Sequence, residues 1–193
     1  MKADLFETME KRRSVRNYSD KPVTHDILER IIHEAMYAPN AGNRRQQRMV
    51  VCTNREINER VGRIHTVLGE KYRADKPAEF TEDDVLAARS GFYNAPAVVY
   101  FFGPRNFVFS REDAAILIDH MYLISCACGL GACMIGEVLD EFDTNYGRYL
   151  KQKWNIPDDY RICSFLLLGY PNGEYPQHPA ISSREYPKVV FEE

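Results

Sequence analysis

Apolar residues recur along this chain with two different periods, and the points where the period changes divide it into elements. Leu5, Phe6 and Met9 share one face of a short helix, which Asp4 opens with Glu7 three residues on, the spacing of a capping box. Ile27, Leu28, Ile31, Ile32, Ala35 and Met36 keep helical spacing behind Thr24, a second N-cap residue, and that helix stops near Pro39. Residues 49–53 are a short buried strand, after which Asn54 caps a helix carrying Ile57, Val61, Ile64 and Leu68 on one side. Residues 97–102 are apolar without interruption and end at Gly103-Pro104, the pattern of a strand covered on both faces. The longest helix is predicted from about residue 111 to 128; being apolar nearly all round, it belongs at the centre. Gly129-Leu130-Gly131 ends it. A further amphipathic helix is predicted over residues 141–154 through Phe142, Tyr146, Tyr149 and Leu150, and residues 161–169 read as another fully buried strand.

Two stretches lack this order. Residues 72–84 are charged and poorly patterned around Pro77, which makes them a candidate mobile surface segment, with Thr81 capping a brief helix at their end. Tyr170 onward carries Pro171, Pro176, Pro179 and Pro187 and no helical period, so it must lie on some other surface; residues 188–191 read as a last strand. A chain of 193 residues is expected to form one domain, with a body over residues 1–169 and an extended tail over 170–193.

Composition narrows the class. A formal net charge of -3 argues against nucleic acid as a partner. The longest apolar stretch, residues 114–131, includes Asp119 and His120, which argues against a membrane span, and the N-terminus has no apolar core of signal type. Cys52, Cys126, Cys128, Cys133 and Cys163 sit in apolar runs, as buried reduced thiols of a cytoplasmic protein would. No ligand spacing completes a metal set. The five histidines are scattered, and each reads as structural or superficial.

The candidate chemistry begins with Arg12-Arg13-Ser14-Val15-Arg16-Asn17-Tyr18. Three guanidinium groups so close together repel one another unless an anion lies between them. A phosphate ester suits that gap, because Arg offers paired donors and the Ser hydroxyl adds another.

The motif Arg-Arg-Ser-x-Arg-x-aromatic near the N-terminus resembles the opening motif of the nitroreductase family of flavoproteins, and the resemblance runs on through the chain in order. Residues 38–44, Ala-Pro-Asn-Ala-Gly-Asn-Arg, are similar to the family loop that lies along the flavin, with Asn40 for the usual Ser, Arg45 for the usual Gln, and Gln46-Gln47 where Pro-Trp is common. Residues 129–136, Gly-Leu-Gly-Ala-Cys-Met-Ile-Gly, are similar to a segment whose backbone donates to flavin N5 and O4. A dinucleotide-binding loop is a poor reading of those glycines, since they follow a helix and the third is missing. Ser182-Ser183-Arg184 resembles the basic tail element that closes over the FMN phosphate.

The resemblance implies an α+β fold: a mostly antiparallel sheet from residues 49–53, 97–102 and 161–169, wrapped by helices, in an intertwined homodimer whose C-terminal strand is exchanged. It implies FMN held by Arg12, Arg13, Ser14, Arg16, Pro39, Asn40, Asn43, Arg45, Ile135, Gly136, Glu137 and Arg184. Chemistry would then occur at flavin N5, and Arg16 would tune the reduced flavin by its charge. The implied activity is FMN-dependent oxidation of NADH or NADPH with reduction of a nitroaromatic, quinone or related small acceptor in a ping-pong cycle. The alternatives are a specialised relative that dehalogenates reductively or destroys flavin, and a flavin-binding protein without turnover.

Overall fold

A computed structural model describes residues 4–137, 139–177 and 189–192. Among them, six α-helices and four strands follow in the order α1 (Leu5–Lys11), α2 (His25–Ala35), β1 (Arg48–Cys52), α3 (Arg55–Arg73), α4 (Glu82–Ala87), β2 (Ala97–Pro104), α5 (Ser110–Ala127), β3 (Gly131–Ile135), α6 (Asn145–Lys153) and β4 (Tyr160–Gly169). The strands form one antiparallel sheet in the order β1-β2-β4-β3. The α+β class and the antiparallel sheet are therefore as the sequence implies.

Every residue of β2 is buried, as its unbroken apolar run requires of a central strand. Alternate side chains enter two cores. Ala97, Val99 and Phe101 meet α2 and α5 on one face; Val98, Tyr100 and Phe102 meet Phe92, Phe142 and Phe165 on the other. In the second core, edge-on aromatic packing joins Phe102 to Phe142 at 4.9 Å and Tyr100 to Phe165 at 5.6 Å. The Tyr100 hydroxyl, buried among them, donates to Asn58 Oδ1 at 2.8 Å. Its pKa is driven well above the ordinary tyrosine value by that burial.

Several local expectations need correction. The predicted helix over 141–154 is two pieces: a 3-10 turn, Glu141–Asp143, and then α6. Asp140 takes a left-handed φ of 57°, and Thr144 accepts the Gly147 N–H as a fresh N-cap, so the helix restarts there. Gly147 lets the two pieces touch, since a Cβ on it would come within 2.3 Å of the Glu141 carbonyl oxygen. Residues 131–135, not foreseen as a strand, are β3, paired with β4 from Gly131↔Gly169 to Ile135↔Phe165. Thr24 occupies the N-cap of α2 without a side-chain capping bond, and Glu7 pairs with Lys11 where a capping box would turn it back to Asp4. By contrast, Asp4, Asn54 and Thr81 cap their helices as read, Thr81 in a full capping box with Asp84. Helix α3 runs on into the charged stretch as far as Arg73, and Thr81 opens α4 at the far end of that stretch. Cys126 and Cys128 are half-buried, while Cys52, Cys133 and Cys163 are buried, and all five thiols are free. Of the last strand expected over 188–191, Lys188 lies outside the described residues, and Val189 to Phe191 are exposed.

The N-terminal basic segment is laid along the outer edge of β3. Ser14 bridges Ala132 in parallel, the Val15 N–H donates to the Ala132 carbonyl at 2.9 Å, and Tyr18 bridges Pro171. This covers an otherwise open sheet edge. It also explains Gly131, where a Cβ would come within 2.5 Å of Val15 Cγ2. No helix among the described residues is long and apolar enough to cross a membrane.

Candidate functional site

Arg12 follows α1 with ψ of 126°, so the chain leaves the helix extended and carries the basic residues up to β3 and α5. The Arg12 guanidinium lies over the Tyr122 ring, 4.9 Å from its centroid. The Tyr122 hydroxyl is 3.3 Å from Ser14 Oγ and accepts the Met134 N–H at 2.6 Å. Burial pushes that hydroxyl's pKa up, while the bonds to Ser14 and Met134 oppose the rise. Tyr122 thus ties the basic segment, the central helix and the edge strand together. Arg13 is half-buried.

Arg16 is exposed and lines a cleft of about 320 Å³ with Cys133, Ile135, Gly136, Glu137 and His65. Gly136 and Glu137 lie just past the last paired residue of β3, and among the described residues their backbone N–H groups meet no acceptor. Glu137 is paired with Arg73 at 3.3 Å. Burial raises the Cys133 thiol, and the nearby Arg16 pulls it back. The lining of this cleft therefore includes a guanidinium and backbone donors without a partner among the described residues, a combination suited to a planar, acceptor-rich ligand that gains negative charge.

The other loop residues gather elsewhere. Pro39, Asn40, Asn43 and Arg45 line a second cleft, of about 470 Å³, with Met49 and Asp113. Asn40 Oδ1 accepts the Arg45 N–H at 3.0 Å, and Asn43 Oδ1 accepts from Arg45 Nε at 3.1 Å. The loop turns through left-handed φ values at Gly42, Asn43 and Arg45, which glycine and asparagine tolerate best. Asp113 on α5, only 4% exposed, accepts from Ala41 N and from Gln47 Nε2.

The two clefts sit at opposite edges of the sheet. Met49 pairs with Phe101 and Phe101 with Ser164, while the next residue, Phe165, pairs with Ile135. Three strand spacings, about 14 Å, separate those two edges. Arg184 lies outside the described residues.

Sequence reasoning missed Tyr122, Asp113 and the buried pair His65–Glu141, 2.7 Å apart beside the first cleft. Tyr122 is hidden in a helix that is apolar all round, and Asp113 reads as an ordinary first-turn acid. His65 carries no signal at all, because its partner is far away in sequence.

Comparison with known proteins gives a consistent result. The model of the nitroreductase family matches residues 9–170. A protein of Methanothermobacter thermautotrophicus named "Putative NADH dehydrogenase/NAD(P)H nitroreductase" is 27% identical, over 88% of this chain and 78% of its own. An iodotyrosine deiodinase of Thermotoga neapolitana is 22% identical, over 91% of this chain and 92% of its own. The crystal structure of a Bacteroides fragilis nitroreductase with bound FMN superposes with a TM-score of 0.78 at 20% identity, covering 98% of this chain and 100% of that one. With a family model spanning both the basic segment and the 129–136 motif, and the same fold in the superposed structure, this chain belongs to the nitroreductase family.

Proposed function

We propose that this protein is an FMN-dependent oxidoreductase that takes reducing equivalents from NADH or NADPH and passes them to a nitroaromatic, quinone or similar small acceptor in a ping-pong cycle. The observation that carries this reading is that Arg16 lines one cleft together with Gly136 and Glu137. When bound, FMN supplies hydride exchange at N5. The two backbone N–H groups would donate to its N5 and O4, and Arg16 would stand by N1 and O2, where reduction places negative charge. Arg12, Arg13, Ser14 and Arg184 are assigned to the phosphate, which suits paired guanidinium donors. NADH or NADPH as co-substrate is supported by the name of the Methanothermobacter relative.

The separation of the two clefts supports a homodimeric site. A flavin gripped by Arg16 and Gly136 at one edge of the sheet cannot also lie on Pro39, Asn40 and Asn43 at the other, so those residues would serve the partner's flavin. Two exposed features favour such a dimer: apolar Leu5, Phe6 and Met9 on α1, and Val189 to Phe191 in the tail. Strand β1 pairs only with β2 among the described residues, which leaves its outer edge for a tail strand from the partner.

Reductive dehalogenation is the second reading, favoured by the similarity to the Thermotoga deiodinase. The absorption spectrum of the purified protein, followed by anaerobic bleaching with NADH or NADPH, tests the main one. Reoxidation of the bleached protein by a nitroaromatic or quinone is the expected result. Bleaching by dithionite alone, with reoxidation by an iodinated phenol, would favour the second. A colourless protein that takes up no FMN would overturn both.

A further inference from the structure

His65 is held in a way that a merely structural histidine does not need. Its Nδ1 is 2.7 Å from Glu141 Oε1, and Glu141, 1% exposed, turns its other oxygen to accept the Leu139 N–H at 3.1 Å. Phe92 and Phe165 flank the ring at 6.0 and 6.2 Å. Its Cδ2 lies against Gly91, where a Cβ would come within 2.8 Å. Glu141, two aromatic rings and a glycine therefore fix every side but one. The ring lines the cleft shared with Arg16 and Gly136, and among the described residues nothing bonds Nε2.

A buried carboxylate at Nδ1 has two effects. It takes the Nδ1 proton as a hydrogen bond, so that the neutral ring presents a bare Nε2 to the cleft, and it stabilises the imidazolium when Nε2 gains a proton. The other ionisable groups facing the ring across the cleft are Arg16, Arg73, Glu137, Tyr93 and the Cys133 thiol. Arg73 holds Glu137, and burial keeps the thiol protonated. Arg16 and Arg73 disfavour a second cation beside them, so the imidazolium needs a compensating negative charge.

We propose that His65 is the proton-exchanging residue of this cleft, gaining a proton on Nε2 when the flavin is reduced and releasing it on reoxidation, with Glu141 as its positioning residue. The proposal rests on the reading of the cleft as the flavin site. The balance is simple. Two electrons enter as hydride from the nicotinamide, and water supplies the Nε2 proton. On reoxidation the hydride and that proton both pass to the acceptor, so NAD(P)H, one proton and a quinone give NAD(P)+ and a hydroquinone.

The test is the pH dependence of the FMN midpoint potential, measured by spectroelectrochemistry on the FMN-loaded protein and on His65→Gln. One extra proton per two electrons adds about 30 mV per pH unit to the slope. The native protein is expected to show that excess over part of the pH range, and His65→Gln to lose it. Glu141→Gln, which withdraws the charge but keeps a hydrogen bond, should move the span to lower pH. Equal slopes in the native protein and His65→Gln would assign any extra proton to the flavin itself and overturn the proposal. Should His65→Gln not fold, the imidazole NMR signal of the native protein decides. It should report a neutral ring with oxidised FMN and a protonated ring with reduced FMN at one pH, and an unchanged ring overturns the idea. A protein that takes up no FMN fails at the proposed function, whereas an FMN-loaded protein with equal slopes fails only here.

Discussion

Asp113 reaches from the first turn of α5 to the backbone of Ala41, whose N–H its Oδ1 accepts at 2.8 Å, and its other oxygen takes a bond from Gln47. One carboxylate thus ties the loop that carries Pro39, Asn40 and Asn43 to α5 at two points. Asp113→Asn leaves one acceptor and turns an NH2 group toward a donor. The expected loss is about 1–3 kcal/mol of stability, the cost of an unsatisfied buried polar group. Thermal unfolding measures it, and FMN affinity should fall in the same variant because the loop is freed.

Arg12→Ala tests the phosphate assignment. Binding of FMN should weaken by about 1.5–3 kcal/mol, the range for a hydrogen bond to a charged group. Riboflavin has no phosphate, so it should bind the variant and the parent alike. A variant that still prefers FMN to riboflavin as strongly as the parent places Arg12 away from the phosphate.

Arg16→Gln separates charge from binding. A cation beside N1 and O2 stabilises reduced flavin more than oxidised flavin. Its loss, plausibly about 1–3 kcal/mol, corresponds to a drop of roughly 20–60 mV in midpoint potential. Affinity for oxidised FMN should change little. Weaker FMN binding with an unaltered potential would instead place Arg16 with the phosphate group.

Gly131→Ala tests the seam between the basic segment and β3. The new methyl would meet Val15 at a distance no packed Cβ occupies. Destabilisation of about 1–3 kcal/mol is expected, as for overpacking elsewhere. Val15→Ala in the same chain should restore part of it, and a double-mutant cycle in chemical denaturant reads the coupling.

Ending the chain at Tyr170 tests the dimer. Size-exclusion chromatography should show a monomer that does not retain FMN, and an unchanged FMN-loaded dimer would remove the tail from the interface.

How much of this was legible beforehand follows from how local each signal is. Residues 97–102 announce a buried strand because both faces are apolar, and the helix behind Asn54 announces itself because cap and stripe are neighbours in sequence. Strand β3 does not. Its five residues are held by β4, Val15 and Tyr122, none of them adjacent, and its glycines read more readily as a turn or a motif. The break between Glu141 and Asn145 was hidden because Phe142, Tyr146 and Leu150 continue a helical period across it. Of the candidate site, Arg16 and residues 135–137 were readable and line one cleft, which Arg12, Arg13 and Ser14 do not reach. That Pro39, Asn40 and Asn43 sit at the far edge of the sheet is a matter of strand order, which no local pattern carries. The pair His65–Glu141 is likewise a product of tertiary structure.

The parallel bridge of Ser14 to Ala132 and the bridge of Tyr18 to Pro171 have a consequence for the order of assembly. The arginines leave the ribosome well before β4 and Pro171, and their docking edge is completed only when those have emerged. Closing so long a loop is entropically costly and slow beside the formation of α2 or α3. The basic segment is therefore expected to dock late, after the sheet it borders. Until then the cleft beside Arg16 is incomplete.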